Sequence, residues 1–472
     1  MSETSSARTA LVIGASIAGL AAARVLADHV AQVIILERDH DLLRGSAQHS
    51  GHFHSRRGVP QGQHLHQLLL RGARELEQLF PGLEQQMLAQ DATPIDWPGD
   101  TYWHGPAGEG VRFTSGVVTY ACSRPLLENT IRERVLALPN VTLQAGTEVI
   151  SLLPDATDRR IAGVRIRERG KPNSEQTLQA GLVVDASGRS SHAAEWLQQL
   201  GYGRVPETIV NAKIGYASRI YQPPTDQQFD WRVVTVQGKA PEDLRAGTIF
   251  PLEGGRWMVL LAGAAGDYPP TDDAGFVAFA NTLISPMIAQ AIATATPLSE
   301  IVGYRRTENR RLHFERMPRW PEQFVVLGDA ACAFNPVYGQ GMTTAVLAAV
   351  ALGESLRANP NAGLARRYQQ RLAQVIETPW LMATGVDYRY PTTEGASRGW
   401  LVSLQHAYMD TVLELATHSS PVYRAFINVM HLMAPPSSLF APAIARQVIP
   451  RLLARRRHRN AAAAPIAKVG MP

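Results

Sequence analysis

Apolar and polar positions fall into a few repeating patterns along the chain. Residues 10–13 are apolar throughout and read as a short buried strand, 14–19 as a tight turn of small residues, and 20–27 as an Ala-rich helix with almost no polar face. A second apolar run, 32–36, ends in Glu37. Pro60 and Gly62 break the chain ahead of a one-faced helical pattern from about His64 to Phe80, which places Gln61, His64 and His66 at or near a helix start. A Trp- and Gly-rich β-like stretch over 93–120 gives way to a helix beginning near Pro125, with Leu126, Leu127, Ile131 and Val135 on its buried side and Arg124 just before it. Residues 140–152 and 163–169 each read as a strand, and 181–184 as a buried strand running into the turn Asp185 to Arg189. From 209 to 265 the pattern is mostly β, and 276–293 supplies one helix on that sheet. A strand at 324–327, a Pro/Gly loop at 335–341 and a helix at 342–357 follow, this last helix apolar on every side and therefore central. Beyond Gly363 the chain is largely helical, interrupted at Pro391, Pro421 and the pair Pro435, Pro436.

These elements predict an α/β protein. A Rossmann-type nucleotide-binding domain is expected from 8–95, 119–205 and 305–385, with a β-rich domain inserted as 96–118 and 206–304. A helical C-terminal region, 386–472, would end in a basic, disordered tail. Residues 40–57, rich in His, Gly, Ser and Arg, read as a mobile loop.

Composition narrows the function classes. At 472 residues with 45% hydrophobic and 18% charged positions, the chain can bury a large core as a soluble globular protein. Two distant cysteines, Cys122 and Cys332, provide neither a disulfide framework nor metal-ligand spacing, so a reducing cytoplasmic setting is expected and no metal. The net charge of +5 is mild and concentrates in RLLARRRHR at 451–459, a solvated helix end or a contact for a membrane surface or anionic partner. No apolar run reaches the ~18 residues of a spanning helix, and no aromatic platform accompanies the basic residues as nucleic-acid binding would need.

The first turn carries the clearest chemistry. Gly14 permits the turn, Ser16 stands where a second glycine is usual, and Gly19 lets helix and strand approach. Backbone N–H groups at a helix start favour a pyrophosphate, and Glu37, beside Arg38 and about 20 residues on, suits both hydroxyls of an adenosine ribose. The start of the 342–357 helix offers the same donors to a delocalised anion.

Taken together, GASIAGL with Glu37, the DASGR turn and GDAACAFNPVYGQG resemble the three flavin-binding motifs of flavoprotein monooxygenases with the para-hydroxybenzoate hydroxylase fold. RRGVPQGQHLHQLL, FPLEGGRWMVLLAGAAGDYPP and HLMAPPSSLF look like the branch containing the polyene epoxidases of polyether antibiotics such as lasalocid and monensin. That resemblance implies FAD as cofactor. Gly14, Ser16 and Gly19 would hold its pyrophosphate, Glu37 its ribose, Arg124 its phosphate or ribityl region, and Asp329 its ribityl chain. Pro336, Gly339, Gln340, Gly341 and Met342 would lie near the isoalloxazine ring, with His64 a further flavin-proximal candidate. Asp185 and Gly188 match the middle motif, although Gly188 lacks the directly preceding aspartate of many hydroxylases. Tyr216, Arg219, Phe250 and Trp257 are candidates for the substrate pocket. The implied activity is insertion of one oxygen atom of O2 through a flavin C4a-hydroperoxide, with NAD(P)H or an external flavin reductase as electron source and a small apolar substrate. No base stands out in the β-rich stretch, which tilts the reading toward alkene epoxidation and away from aromatic hydroxylation. An oxygen-independent flavin reductase and a flavin-free scaffold are the rival classes. A halogenase is disfavoured because the Trp-x-Trp-x-Ile-Pro signature is absent.

Overall fold

A computed structural model of the chain describes residues 9–40, 42, 56, 58–359 and 363–462, without the side chains of 60 and 455–462. Most of the loop expected at 40–57, and the tail end 463–472, lie outside the described residues. In chain order the elements that position the site are β1 (Thr9–Ile13), α1 (Ile17–Ala27), β2 (Gln32–Glu37), α2 (Leu70–Leu79), β3 (Thr101–Gly105), α3 (Arg124–Leu136), β4 (Val141–Ala145) and β5 (Leu182–Asp185). They continue as β6 (Gly215–Gln222), β7 (Val233–Gln237), β8 (Arg245–Leu252), β9 (Arg256–Gly263), β10 (Phe324–Val326), α4 (Gly341–Ala358) and α5 (Leu364–Asp387). The chain closes with α6 (Trp400–Leu415), α7 (Ser420–Met430) and α8 (Pro442–Ala462).

One sheet has the order β10-β5-β1-β2-β4 with every pairing parallel. Parallel strands are covered on both faces, which is why 10–13 and 182–184 are apolar without alternation. α4 crosses beside α1 so closely that a Cβ on Gly353 would meet Val25 at 2.6 Å, and its burial on several sides follows from that central path.

A second, eight-stranded sheet joins β3 to β6–β9 in the order β6-β9-β8-β7-β3. Its pleat sorts side chains strictly by parity. Ala217, Val234, Val236, Ile249, Trp257 and Val259 face the helices Asp273–Ala280 and Met287–Thr294. Trp103, Ile220, Val233, Phe250, Leu252 and Met258 face α7 instead.

Three elements differ from expectation. The single helix at 276–293 is two, because the segment turns at Pro286 and Asp272 caps the first helix by accepting from Gly275 N–H at 2.8 Å. The strand at 140–152 divides at Gly146, whose φ of +71° turns the chain out of the ladder. The helix expected from His64 starts only at Leu70. Its first donor, Leu70 N–H, goes to His431 Nδ1 at 3.1 Å and Arg71 N–H to the His431 carbonyl, so a distant residue caps the helix and leaves the segment before it extended.

Candidate functional site

A single cavity of about 1150 Å³ runs between the two sheets and under the C-terminal helices. That exceeds the usual volume of a drug-sized site, leaving room for a dinucleotide and a second molecule.

One end is built on the β1–α1 turn. Gly14 has φ +102°, and a Cβ there would stand 2.6 Å from the Ala186 carbonyl, so only glycine fits. A Cβ on Gly19 would sit 1.9 Å from the Gly14 carbonyl; Gly19 packs α1 against the turn and is not on the cavity wall. Ser16 is the N-cap residue, but its Oγ leaves the helix alone: it donates to Glu128 at 2.9 Å and accepts from Arg124 at 2.7 Å, tying the turn to α3. Glu37 accepts from Ala15 N–H at 2.9 Å and Asp39 N–H at 3.0 Å, keeping lone pairs for further donors, and Arg38 lines the wall beside it. Arg124 reaches the wall with Glu128 held at 2.8 Å. Burial alone would raise the Glu128 carboxyl, but Arg124, Arg56 and Arg132 around it bring it below the usual carboxylate range.

The middle motif contributes Ala186, Ser187, Gly188 and Arg189 to the wall. Asp185 itself is fully buried beneath them; it accepts from Ser187 N–H at 2.9 Å and from the Ser191 hydroxyl, so it shapes the turn and does not reach the cavity. Burial raises its carboxyl, opposed by those hydrogen bonds.

At the other end, Asp329 faces the cavity near the start of α4, with Oδ1 3.8 Å from where a Cβ on Gly341 would lie. Its carboxylate makes no hydrogen bond or ion pair among the described residues. Burial raises its pKa, moderated by Arg189 and Arg124. Pro336, Gly339, Gln340, Gly341 and Met342 share this wall, and Gly339 has φ +65°. The Oε1 of Gln340 and the Oγ of Ser187 are buried without a partner. A glycine-only turn, an acid with spare acceptor sites beneath it, an unpaired carboxylate and orphaned polar atoms at a helix start form a donor and acceptor set that fits FAD.

The chamber beyond is walled by the sheet and by α6 and α7. Tyr216 and Phe250 line it. Arg219 and Trp257 do not: both stand at the opposite parity, where Arg219 pairs with Asp273 at 2.7 Å and Trp257 packs with Trp231 at 5.3 Å between ring centres. His64 is also off the wall. It lies 3% exposed between the extended segment and β6, with Nδ1 2.9 Å from Ser218 Oγ, and burial lowers its pKa to about 4. Its neighbour His66 does reach the wall; it donates from Nδ1 to the His64 carbonyl at 3.0 Å, and burial first, then Arg124, bring it down to about 3. Sequence reading missed Arg56, Trp97 and Trp103, all on the wall, and the α7 stripe Tyr423, Phe426, Ile427, Met430, and it named Arg189 only as the last residue of the DASGR turn. The helical spacing of that stripe was its visible signal.

The fold and this cavity define a dinucleotide-binding protein with an attached apolar chamber. More narrowly, the chain belongs to the family described as FAD binding domain, whose model matches residues 7–377. It is 34% identical over 403 residues to Protein Rv3254 of Mycobacterium tuberculosis, covering 83% of each chain. Among solved structures it resembles PqsL, a probable FAD-dependent monooxygenase from Pseudomonas aeruginosa, with TM-score 0.59 and 16% identity over 81% of this chain and 97% of that one. It also resembles the myxobacterial chondrochloren halogenase CndH, with TM-score 0.62 and 16% identity over 90% and 96%. At those identities the likeness is one of fold.

Proposed function

We propose that the chain is an FAD-dependent monooxygenase that epoxidises an alkene of an apolar, polyketide- or terpenoid-like substrate, as the motif resemblance to the polyene epoxidases implies. The observation that carries this is the state of the polar groups that the C-terminal segments bring to the chamber wall. His431 accepts from Leu70 N–H through Nδ1, which leaves its proton on Nε2, and burial lowers its pKa to about 3, so it stays a neutral donor. His406 is bound to the Gly385 carbonyl through Nε2 at 2.8 Å, and Asp410 is paired with Arg389 at 2.7 Å. A phenol needs a base to take its proton, whereas an alkene does not. His431 and Asp410 are thus committed, and His406 keeps only its Nδ1 lone pair, whose basicity burial lowers, which favours the alkene.

Bound and reduced, FAD supplies an electrophilic oxygen atom from O2. The chain supplies position and dryness. Trp97, Trp103, Phe250 and Phe426 exclude water and give an apolar chain a surface to lie along, while Pro336 to Gly341 fix the flavin end. Asp329 and Glu37 would orient the cofactor by accepting hydrogen bonds from its hydroxyl groups. The electrons come from NAD(P)H or from a partner flavin reductase. The deciding experiment is mass spectrometry of a polyene and a phenol panel incubated with the protein, a flavin-reducing system and heavy-isotope O2. Epoxide carrying one heavy oxygen is expected. Labelled phenol product would establish the hydroxylase, and reductant consumption with unlabelled substrates the reductase.

A further inference from the structure

Every large apolar side chain that is more than half exposed among the described residues lies in α5, α6, α8 or the short turn Pro436–Phe440 between α7 and α8. Leu381 is 58% exposed, Trp400 74%, Leu401 57%, Phe440 58% and Leu453 51%, whereas exposed apolar residues elsewhere stay below half and stand apart in the sequence. A scattered exposed leucine needs no explanation, but such a concentration does.

Its place in the fold is as informative as its size. Leu381 and Phe440 line the cavity and are also exposed, so they stand at its rim. Val402 and Gln405 of α6 line it too, and Trp400, Leu401 and Leu404 occupy the same first turns of that helix on the solvent side. The apolar surface is therefore continuous with the wall of the chamber. α8 packs along α6 through Ile444, Val448, Tyr408 and Val412 while leaving Ile449 and Leu453 exposed. From Arg446 to Arg459 that helix carries six arginines and no acid. On α6, Asp410 is neutralised by Arg389. Exposed aromatic and leucine side chains beside an arginine-rich helix suit a surface that lies on a membrane; among the described residues no helix is long and apolar enough to cross one.

We propose that α5, α6 and α8 form a monotopic dock for an anionic lipid surface, with the chamber mouth set against the acyl chains. Aromatic and leucine side chains around the mouth enter the headgroup boundary, and the arginines of α8 hold the anionic lipid phosphates. Resting on the function proposed above, the dock gives a water-insoluble substrate a path from the bilayer into the chamber without crossing water.

The test is flotation of the full-length, FAD-loaded protein with vesicles of phosphatidylcholine alone or mixed with phosphatidylglycerol. Binding to the mixed vesicles and not to the neutral ones is expected. The double variant Trp400→Ser, Leu401→Ser should lower partitioning by roughly tenfold, and the variant Arg455→Gln, Arg456→Gln, Arg457→Gln, Arg459→Gln by a similar factor. Trp400 and Leu401 do not line the cavity, and FAD absorbance of each variant reports that the fold is kept. Failure to float, or equal flotation of wild type and both variants, overturns the dock. A concentration-dependent dimer in light scattering that the Trp400, Leu401 variant abolishes would overturn it in favour of a second copy on the same face. Vesicle binding is read without substrate or reductant, so its failure and the failure of the epoxidase assignment are separate results.

Discussion

At the scale of single residues, Asp387 shows how a site can rest on a group that no motif marks. It is wholly buried behind the Pro336–Gly341 loop, where it accepts from the Tyr338 hydroxyl and from Asn309 Nδ2 at 2.6 Å, while Asn309 Oδ1 accepts from Asn335 N–H at 2.8 Å. Burial pushes its carboxyl up to about 7, against the pull of both hydrogen bonds. Because the folded state binds this proton more tightly than an unfolded chain with a pKa near ~3.9, the stabilisation is complete below about pH 4 and is lost as pH rises toward 7. Asp387→Asn keeps an acceptor for Asn309 and removes the titration. In urea unfolding at pH 5 and pH 8, wild type should lose about 1–4 kcal/mol relative to the variant, and a pH-independent difference would show that the carboxyl does not titrate as described. Asp329 was legible because it ends a strand inside a recognisable stretch, GDAACAFNPVYGQG. Asp387 was not, since its partners lie 49 and 78 residues away and its own helix reads as ordinary.

At the scale of elements, periodicity located the strands but could not say which parity faces the chamber. Phe250 and Trp257 both look like pocket residues in sequence. The register pairs Phe250 with Met258 and Pro251 with Trp257, so the two aromatic rings project from opposite faces of the sheet. Only the positions of α7 and of the two helices after β9 decide which face is the chamber, and those are long-range facts. The same limit misplaced His64: the local pattern from 64 onward is helical, but capping by His431 starts the helix six residues later. The two faces should respond differently. Phe250→Ala and Trp257→Ala should each cost about 3–5 kcal/mol of stability in denaturant unfolding. Phe250→Ala should also raise KM for the polyene or alter which double bond reacts, while Trp257→Ala should leave both unchanged; matching kinetic effects would place both rings on one wall.

At the scale of the whole molecule, three stretches separated by more than a hundred residues each meet along one cavity: the β1–α1 turn, the Asp185–Arg189 turn and the Asp329–Gly341 loop. Their convergence was legible because each is a strand end followed by small residues, and parallel strands bring such ends to the same edge of a sheet. The roof of α6 and α7 was not, since an apolar helical stripe announces burial without naming what it covers. A ligand that clasps all three stretches must stabilise the entire fold by mass action. FAD at a hundredfold excess over its Kd should add about 2.7 kcal/mol, which for a chain of this length is a rise of about 3 °C in Tm. Asp329→Ala separates ligand binding from simple structural support. Its carboxylate has no partner to lose, so the variant without FAD should melt at or above the wild-type temperature. Loss of a charge-assisted hydrogen bond of about 1.5–3 kcal/mol should nevertheless remove at least half of the FAD-induced stabilisation at the same FAD concentration. An equal shift in both proteins, read by differential scanning fluorimetry, would mean that the ribityl chain does not lie against Asp329.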